Sequence, residues 1–243
     1  MPHNWPVYEQ SPTAYDVLHE ARGKDYAREA ADVAAIVRTH RPAARSLLDV
    51  ASGTGLHLAA FAGLGFDVEG VELSPAMIEA AKVRVPEAPI HEGDMRTFQL
   101  DRRFDAVVCL FSAIGYMTDP EQLAEAIGTM GDHLVEGGVL VVEPWYLPEE
   151  WHDGAVFSES AGKGNLAVAR VSRSWREKDV SLIEMRYAIA APGRTWSFTE
   201  VHRMGLFSTE EQLFVFRRAG LEVEHHAGGL TGRGLFVAVK PAP

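Results

Sequence analysis

Asp49, Gly53, Gly55 and Glu72 have the types and spacing to hold a charged small molecule. They lie in Leu47-Leu48-Asp49-Val50-Ala51-Ser52-Gly53-Thr54-Gly55 and, about seventeen residues further on, in Val68-Glu69-Gly70-Val71-Glu72-Leu73. The apolar residues around Asp49 mark the end of a buried strand, and the two glycines let the backbone turn sharply into a helix. Glu72 ends a second strand, where a carboxylate can accept from ribose hydroxyls. A dinucleotide would ask for G-x-G-x-x-G/A, with helix amides aimed at a pyrophosphate. Asp49 at this turn would repel a phosphate and suits the cationic end of S-adenosylmethionine (SAM). The residues therefore favour SAM, with S-adenosylhomocysteine as product and no metal.

The elements that position this turn follow from periodicity. Apolar residues at Ala30, Val33, Ala34 and Val37 predict a helix over 25–39. Strands are expected at 47–50, 68–73, 90–94, 104–111 and 139–143. Between them lie helices at 57–64, at 76–84 after the Ser74-Pro75 start signal, and at 121–134, the last closed by Gly137-Gly138. This alternation predicts an α/β, Rossmann-like parallel sheet. From 156 to 206 the pattern changes to near period two, which predicts an antiparallel β insertion. The capping box Ser208-Thr209-Glu210-Glu211 opens a final helix, and strands at 221–225 and 234–239 follow. The first segment reads as irregular, with Pro6 and Pro12 breaking any helix and Tyr8, Tyr15 and Tyr26 forming a lid. The expected organisation is a lid and helix over 1–40, a SAM-binding core over 41–146, the insertion over 147–206, and closing elements over 207–243.

Composition narrows the function classes. A net charge of −11 over 243 residues, with no dense basic stripe, argues against nucleic acid as partner. No stretch approaches the eighteen apolar residues of a membrane span, and the amino terminus lacks a secretory pattern, so a cytoplasmic protein is expected. The single cysteine, Cys109, sits in an apolar run and reads as core.

The turn resembles motif I of class I SAM-dependent methyltransferases. Arg22-Gly23-Lys24-Asp25-Tyr26, Gly93-Asp94-Met95-Arg96, Phe111-Ser112-Ala113-Ile114-Gly115-Tyr116, Glu143-Pro144-Trp145 and Gly232-Arg233-Gly234-Leu235-Phe236 narrow the resemblance to TDP-amino-sugar N,N-dimethyltransferases. That resemblance covers nearly the whole chain and implies a seven-stranded sheet. Around the cofactor it implies Ala51, Gly53, Thr54, Gly55 and His57 from the turn and Leu73 and Met77 after Glu72. It also implies Asp94, Met95 and Arg96 on the adenine side, with Tyr15 and Phe111 closing over the sulfonium. For the acceptor it implies a 3-amino deoxysugar on thymidine diphosphate, met by Tyr8, Tyr26, Trp145, Arg170, Ser172 and Arg233. Ser52 stands where the family usually carries Cys, Tyr146 where a second Trp is usual, and Leu230-Thr231 replaces Pro-Ser.

No Cys, Ser-His or metal constellation offers covalent or Lewis-acid catalysis, so alignment of a neutral amine must carry most of the rate. Glu143 and Tyr116 are the residues expected to take the ammonium proton. Another small acceptor, such as a glycine-like amine or a phenol, stays open, as does a non-catalytic SAM binder. The number of methyl groups and a homodimer are not decided by the sequence.

Overall fold

The computed structural model describes residue 8 and residues 12–242. In chain order the first part comprises α1 (Pro12–Ala21), α2 (Tyr26–His40), β1 (Ser46–Val50), α3 (Leu56–Gly63), β2 (Asp67–Glu72), α4 (Pro75–Arg84), β3 (Ile90–Glu92), β4 (Phe104–Cys109), a 3-10 turn (Ala113–Tyr116), α5 (Pro120–Asp132) and β5 (Leu134–Val142). Four long strands follow, β6 (Val156–Lys163), β7 (Leu166–Glu177), β8 (Val180–Ala191) and β9 (Arg194–Gly205), and then α6 (Thr209–Arg218), β10 (Glu222–His226) and β11 (Leu235–Val239). The seven-stranded sheet runs β10-β11-β5-β4-β1-β2-β3, parallel except that β11 is antiparallel to both β5 and β10. The second sheet is the antiparallel meander β6-β7-β8-β9. Both sheets match the expected architecture.

Each face of the main sheet buries its own core. Val33 and Val37 of α2 and Leu58 and Phe61 of α3 pack with Leu47, Val108 and Val141 on one side. Ile127 and Met130 of α5 and Phe216 of α6 pack with Leu48, Val107 and Phe236 on the other. Cys109 is 0 % exposed, and burial pushes its thiol well above the usual range, as befits an inert core residue.

Three local expectations are corrected. Pro12 does not break a helix but stands as the first residue of α1, where its missing N–H is one a helix start leaves unpaired anyway. Gly137-Gly138 does not close α5, which ends at Asp132 with His133 as its cap. The two glycines instead form an irregularity inside β5, between the pairings Phe104–Leu134 and Ala106–Val139. Gly137 takes φ +68° there. The insertion has four strands rather than the three expected, because the edge strand β6 shows no buried alternation to read and leaves Val156 and Phe157 exposed.

Helix α1 joins the two sheets. Val17 and Leu18 pack on Val168, Tyr187 and Ile189 of the insertion. Asp16 reaches the other way, accepting from the Thr54 hydroxyl at 2.7 Å and from Arg84 Nη2 at 2.6 Å. The amino-terminal helix thus spans the space between the glycine turn and the β layer.

Candidate active site

The cofactor turn is built from backbone and two carboxylates. Ala51, Gly53 and Gly55 take φ of +60°, +56° and +79°. Gly55 must be a glycine on a second count, since a Cβ there would stand 3.2 Å from that of Ala81 in α4. Glu72, at the end of β2, accepts from Gly53 N–H at 2.9 Å on one oxygen and from Leu73 and Ser74 N–H at 2.9 Å on the other. It therefore clamps the turn from the end of β2.

Asp49 is 2 % exposed, and among the described residues its Oδ2 has no hydrogen-bond partner. Burial first, and then the neighbouring charge of Glu72, push its carboxyl up to about 8. An unpartnered buried carboxyl is costly unless a cation or donor meets it. The cationic amino group of SAM is such a partner, so the residues present fit this cofactor. Thr54 spends its hydroxyl on Asp16, which fastens α1 to the turn.

The remaining cofactor expectations are placed as follows. Met77 is buried at the start of α4, and its N–H donates to the Ser74 hydroxyl at 3.3 Å. Leu73 is exposed, and Met95 is buried in the core. Asp94 accepts from Arg96 N–H at 2.9 Å and pairs with its guanidinium at 2.5 Å, which holds the carboxyl below its usual range. His57 lies 2.8 Å from Glu29, which also pairs with Lys24 at 2.6 Å, and the Tyr26 ring rests edge-on against His57.

A wall of rings leads from the turn toward the insertion. Phe111 meets His19 at 4.8 Å between ring centres, His19 meets Tyr15 at 4.4 Å, and Tyr15 meets Tyr8 at 5.5 Å. Lys24 Nζ sits 3.8 Å over the Phe111 ring. Burial, together with the charges of Arg22, Arg170, Lys24 and Arg233, pushes His19 down to about 3, so its imidazole is neutral at neutral pH. An acidic protein has gathered four basic side chains around one histidine. Three of them are ion-paired, Arg22 and Arg170 sharing Glu159 and Lys24 meeting Glu29.

Arg233 is different. Its Nη1 donates to the Ser112 hydroxyl at 3.0 Å, and its guanidinium lies 5.2 Å over the Trp145 ring and 5.0 Å over that of Tyr146. Among the described residues no carboxylate pairs with it. Trp145 is held in turn by a bond from its indole N–H to Ser181 of β8 at 2.9 Å. Arg170 is buried, donating to the Tyr187 hydroxyl at 3.3 Å, and Ser172 lies two positions along β7 on the same face.

Glu143 directly follows β5. It is 0 % exposed, and both oxygens are engaged, by Phe111 N–H at 2.6 Å and by the Thr231 hydroxyl at 2.5 Å. Fully buried, with Phe111 N–H on one oxygen and the Thr231 hydroxyl on the other, it stands as a brace between β4, β5 and the loop that carries Arg233. Tyr116 keeps the geometry of a proton carrier, its hydroxyl 2.7 Å from that of Tyr8 and 2.7 Å from His202 Nδ1.

Sequence reasoning missed Asp16, His19, His202 and Glu200. His19 stands four residues after Tyr15, on one face of a helix that the misreading of Pro12 concealed. His202 and Glu200 share a face of β9 through the period of two, a signal present in the sequence but unlinked to Tyr116.

Residues 47–138 match the model of a methyltransferase domain family. The chain is 46 % identical over 93 % of its length, and 95 % of the relative's, to a Streptomyces venezuelae dTDP-3-amino-3,4,6-trideoxy-alpha-D-glucopyranose N,N-dimethyltransferase. It is 47 % identical, over 94 % of its length and 90 % of the relative's, to a Streptomyces fradiae dTDP-3-amino-3,6-dideoxy-alpha-D-glucopyranose N,N-dimethyltransferase. The SAM-bound structure of CalS10, an amino pentose methyltransferase from Micromonospora echinaspora, superposes with a TM-score of 0.84 at 43 % identity, covering 98 % of this chain and 100 % of that one. With the glycine turn, the two carboxylates and the meander all in place, the chain belongs to the dTDP-amino-deoxysugar N,N-dimethyltransferases, SAM-dependent enzymes of the class I methyltransferase fold.

Proposed function

We propose that the protein methylates, twice in succession, the amino group of a deoxysugar carried on thymidine diphosphate. The observation that carries the acceptor is Arg233. Among the described residues it is an arginine without a carboxylate partner, lying over two aromatic rings in a chamber whose other three basic groups are ion-paired. Such a fork suits phosphate oxygens, and a guanidinium has five N–H donors, of which Ser112 takes one.

When bound, SAM supplies a methyl group on a sulfonium, an electrophile that needs no further activation. Asp49 and Glu72 hold the cofactor's amino group and ribose. Arg233, anchored by the buried Ser112, takes the diphosphate, with Tyr26 and Ser172 as uncharged donors around it, while Trp145 and the neutral His19 shape the sugar's seat. Phe111, braced by Glu143, and Tyr15 exclude water between the two ligands. Tyr116 receives the acceptor's proton.

The test supplies a TDP-3-amino deoxysugar with SAM and follows product mass. Two successive methyl increments are expected, because the first product keeps a lone pair and the same recognition groups. No mass gain, together with turnover of a nucleotide-free amine or phenol, would overturn the reading. Arg233→Ala removes charge-assisted bonds that typically contribute about 1.5–3 kcal/mol. The KM for the nucleotide sugar should then rise about ten- to a hundredfold while that for SAM holds. Arg233→Lys should recover only part, because it keeps the charge but loses the fork.

A further inference from the structure

Beyond Tyr116 the hydrogen bonds continue into the insertion. His202 and Glu200 lie two positions apart on β9, 3 % and 5 % exposed, so they share one buried face. Nδ1 of His202 is 2.7 Å from the Tyr116 hydroxyl, which also lies 2.7 Å from that of Tyr8; His202 Nε2 approaches Glu200 Oε2 to 3.5 Å, an electrostatic contact and not a hydrogen bond, and Glu200 Oε1 accepts from Tyr8 N–H at 3.0 Å. This approach of turn to sheet depends on Gly115, where a Cβ would stand 2.7 Å from that of Trp145 and 2.8 Å from Met204 Cε. Glu200 beside Nε2 favours the tautomer that carries its proton there, which leaves Nδ1 as an acceptor toward Tyr116.

We propose that His202, oriented by Glu200, receives through Tyr116 the proton that the acceptor's ammonium must lose before it can attack. The assignment rests on the amine-acceptor reading above. An N–H bond of the ammonium breaks toward Tyr116 Oη while the hydroxyl proton of Tyr116 passes to His202 Nδ1. The amine keeps the electron pair, and the imidazole becomes imidazolium beside the Glu200 carboxylate. The same path run outward through Tyr116 returns the proton to solvent after product leaves, so the relay is reset for a second methylation.

No tyrosinate has to form. Burial, with Tyr8 beside it, holds Tyr116 well above the usual phenol range, which suits a hydroxyl that passes a proton and never loses its own outright. Among the described residues, the groups facing the pair are Tyr116 from the turn, Tyr8, Glu200 from β9 itself and Tyr187 from β8, with Arg170 of β7 behind Tyr187. Arg170 is the one cation in that set and would oppose an imidazolium, but it is paired with Glu159. His202 acts through Tyr116 and is therefore a positioning and proton-holding residue, with Tyr116 as the catalytic contact.

Two measurements test this. In the free protein, imidazole nitrogen NMR, assigned by the resonance lost in His202→Gln, should show Nε2–H and a bare Nδ1. A proton on Nδ1 would overturn the proposal, since that nitrogen could then accept nothing from Tyr116. In steady-state assays of the whole enzyme, His202→Gln should lower kcat about ten- to a hundredfold at pH 7, short of the full range for a directly acting base. The loss should shrink as rising pH deprotonates the amine unaided, with SAM affinity unchanged. Tyr116→Phe should give the same profile and serves if His202→Gln does not fold, and Glu200→Gln should give a smaller loss of the same shape. Losses that are equal at every pH, or absent, overturn the relay. A wild-type enzyme inactive on the nucleotide sugar would sink the acceptor reading instead, and the tautomer measurement would still decide the relay.

Discussion

Gly53 and Glu72, bonded across the cofactor turn, are 19 residues apart in the chain, whereas Tyr116 and His202 are 86 apart, Ser112 and Arg233 121, and Tyr8 and Glu200 192. The cofactor side closes within one strand-turn-helix-strand unit and works mostly through backbone amides and two carboxylates. The acceptor side is assembled from the amino-terminal helix, a turn after β4, the insertion and a carboxy-terminal loop. A site closed locally is fixed as soon as its unit folds. A site closed at long range can change one wall, as Tyr146 and Thr231 do against the family pattern, without disturbing the other half.

The largest expected effect tests that independence directly. Glu72→Ala strips the acceptor from three backbone N–H groups as well as from the ribose. Charge-assisted bonds of this kind contribute about 1.5–3 kcal/mol, so SAM affinity measured by calorimetry should fall about ten- to a hundredfold. TDP affinity of the same variant should stay within about twofold, since none of the residues proposed for the diphosphate bonds to Glu72. A parallel fall in both would mean that the two regions are one unit and would break the comparison.

The same contrast explains what the sequence could tell. Asp49, Gly53, Gly55 and Glu72 were legible because strand period, glycine turn and terminal acid all fall within one short window, where residue type dictates backbone path. Tyr116 was reached from its place in the loop after β4 and Arg233 through resemblance, neither from a local signal of what it meets. His202 and Glu200 were invisible for a physical reason: alternation in β9 reveals which residues share a face, but not what that face meets. Pro12 and Gly137-Gly138 were misread because proline and glycine mark a change of path without saying which. For Glu143 the sequence shows a carboxylate at the end of β5, but only the structure shows that it is fully buried and ties Phe111 N–H to Thr231.

A middle-sized effect sharpens the electrostatic side of the comparison. The acceptor chamber ion-pairs three of its four basic groups with two carboxylates, Glu159 and Glu29, while the cofactor turn keeps a carboxyl, Asp49, whose burial and whose neighbour Glu72 raise it to about 8. In the free protein near pH 7 Asp49 is therefore mostly protonated, and meeting a cation requires it to ionise. Binding of SAM should release up to about one proton, and affinity should improve about tenfold between pH 6 and pH 7, each pH unit below the raised value costing a factor of ten. Calorimetry in two buffers of different ionisation enthalpy reads the proton directly. The sign for stability is the reverse of the usual carboxylate case. A folded value above the unfolded one means that the unliganded protein loses stability as pH climbs from about 4 toward 8 through this group. Proton-independent binding with flat affinity would show that Asp49 is already ionised and paired in the free protein.

The smallest expected effect concerns Ser52, at the back of the same turn. Its hydroxyl is buried, has no hydrogen-bond partner and lies against Gly70 of β2, close enough that a Cβ on Gly70 would stand 2.8 Å from it. A buried unsatisfied hydroxyl costs about 1–3 kcal/mol, part of which any replacement returns through altered packing. Ser52→Cys fills nearly the same space with a weaker donor that tolerates an apolar setting. It should therefore raise stability by about 0.5–1 kcal/mol, a gain of about 1–4 °C in Tm for a chain of this length. SAM affinity should stay within about twofold, because the turn holds its ligand through amides and through Asp49 and Glu72, none of which bonds to Ser52. Ser52→Ala should gain less, since the small void it leaves offsets the relief. If instead Ser52→Cys loosens SAM while leaving Tm unchanged, the hydroxyl touches the ligand. The cofactor side would then depend on a side chain at a place where the backbone is held here to suffice.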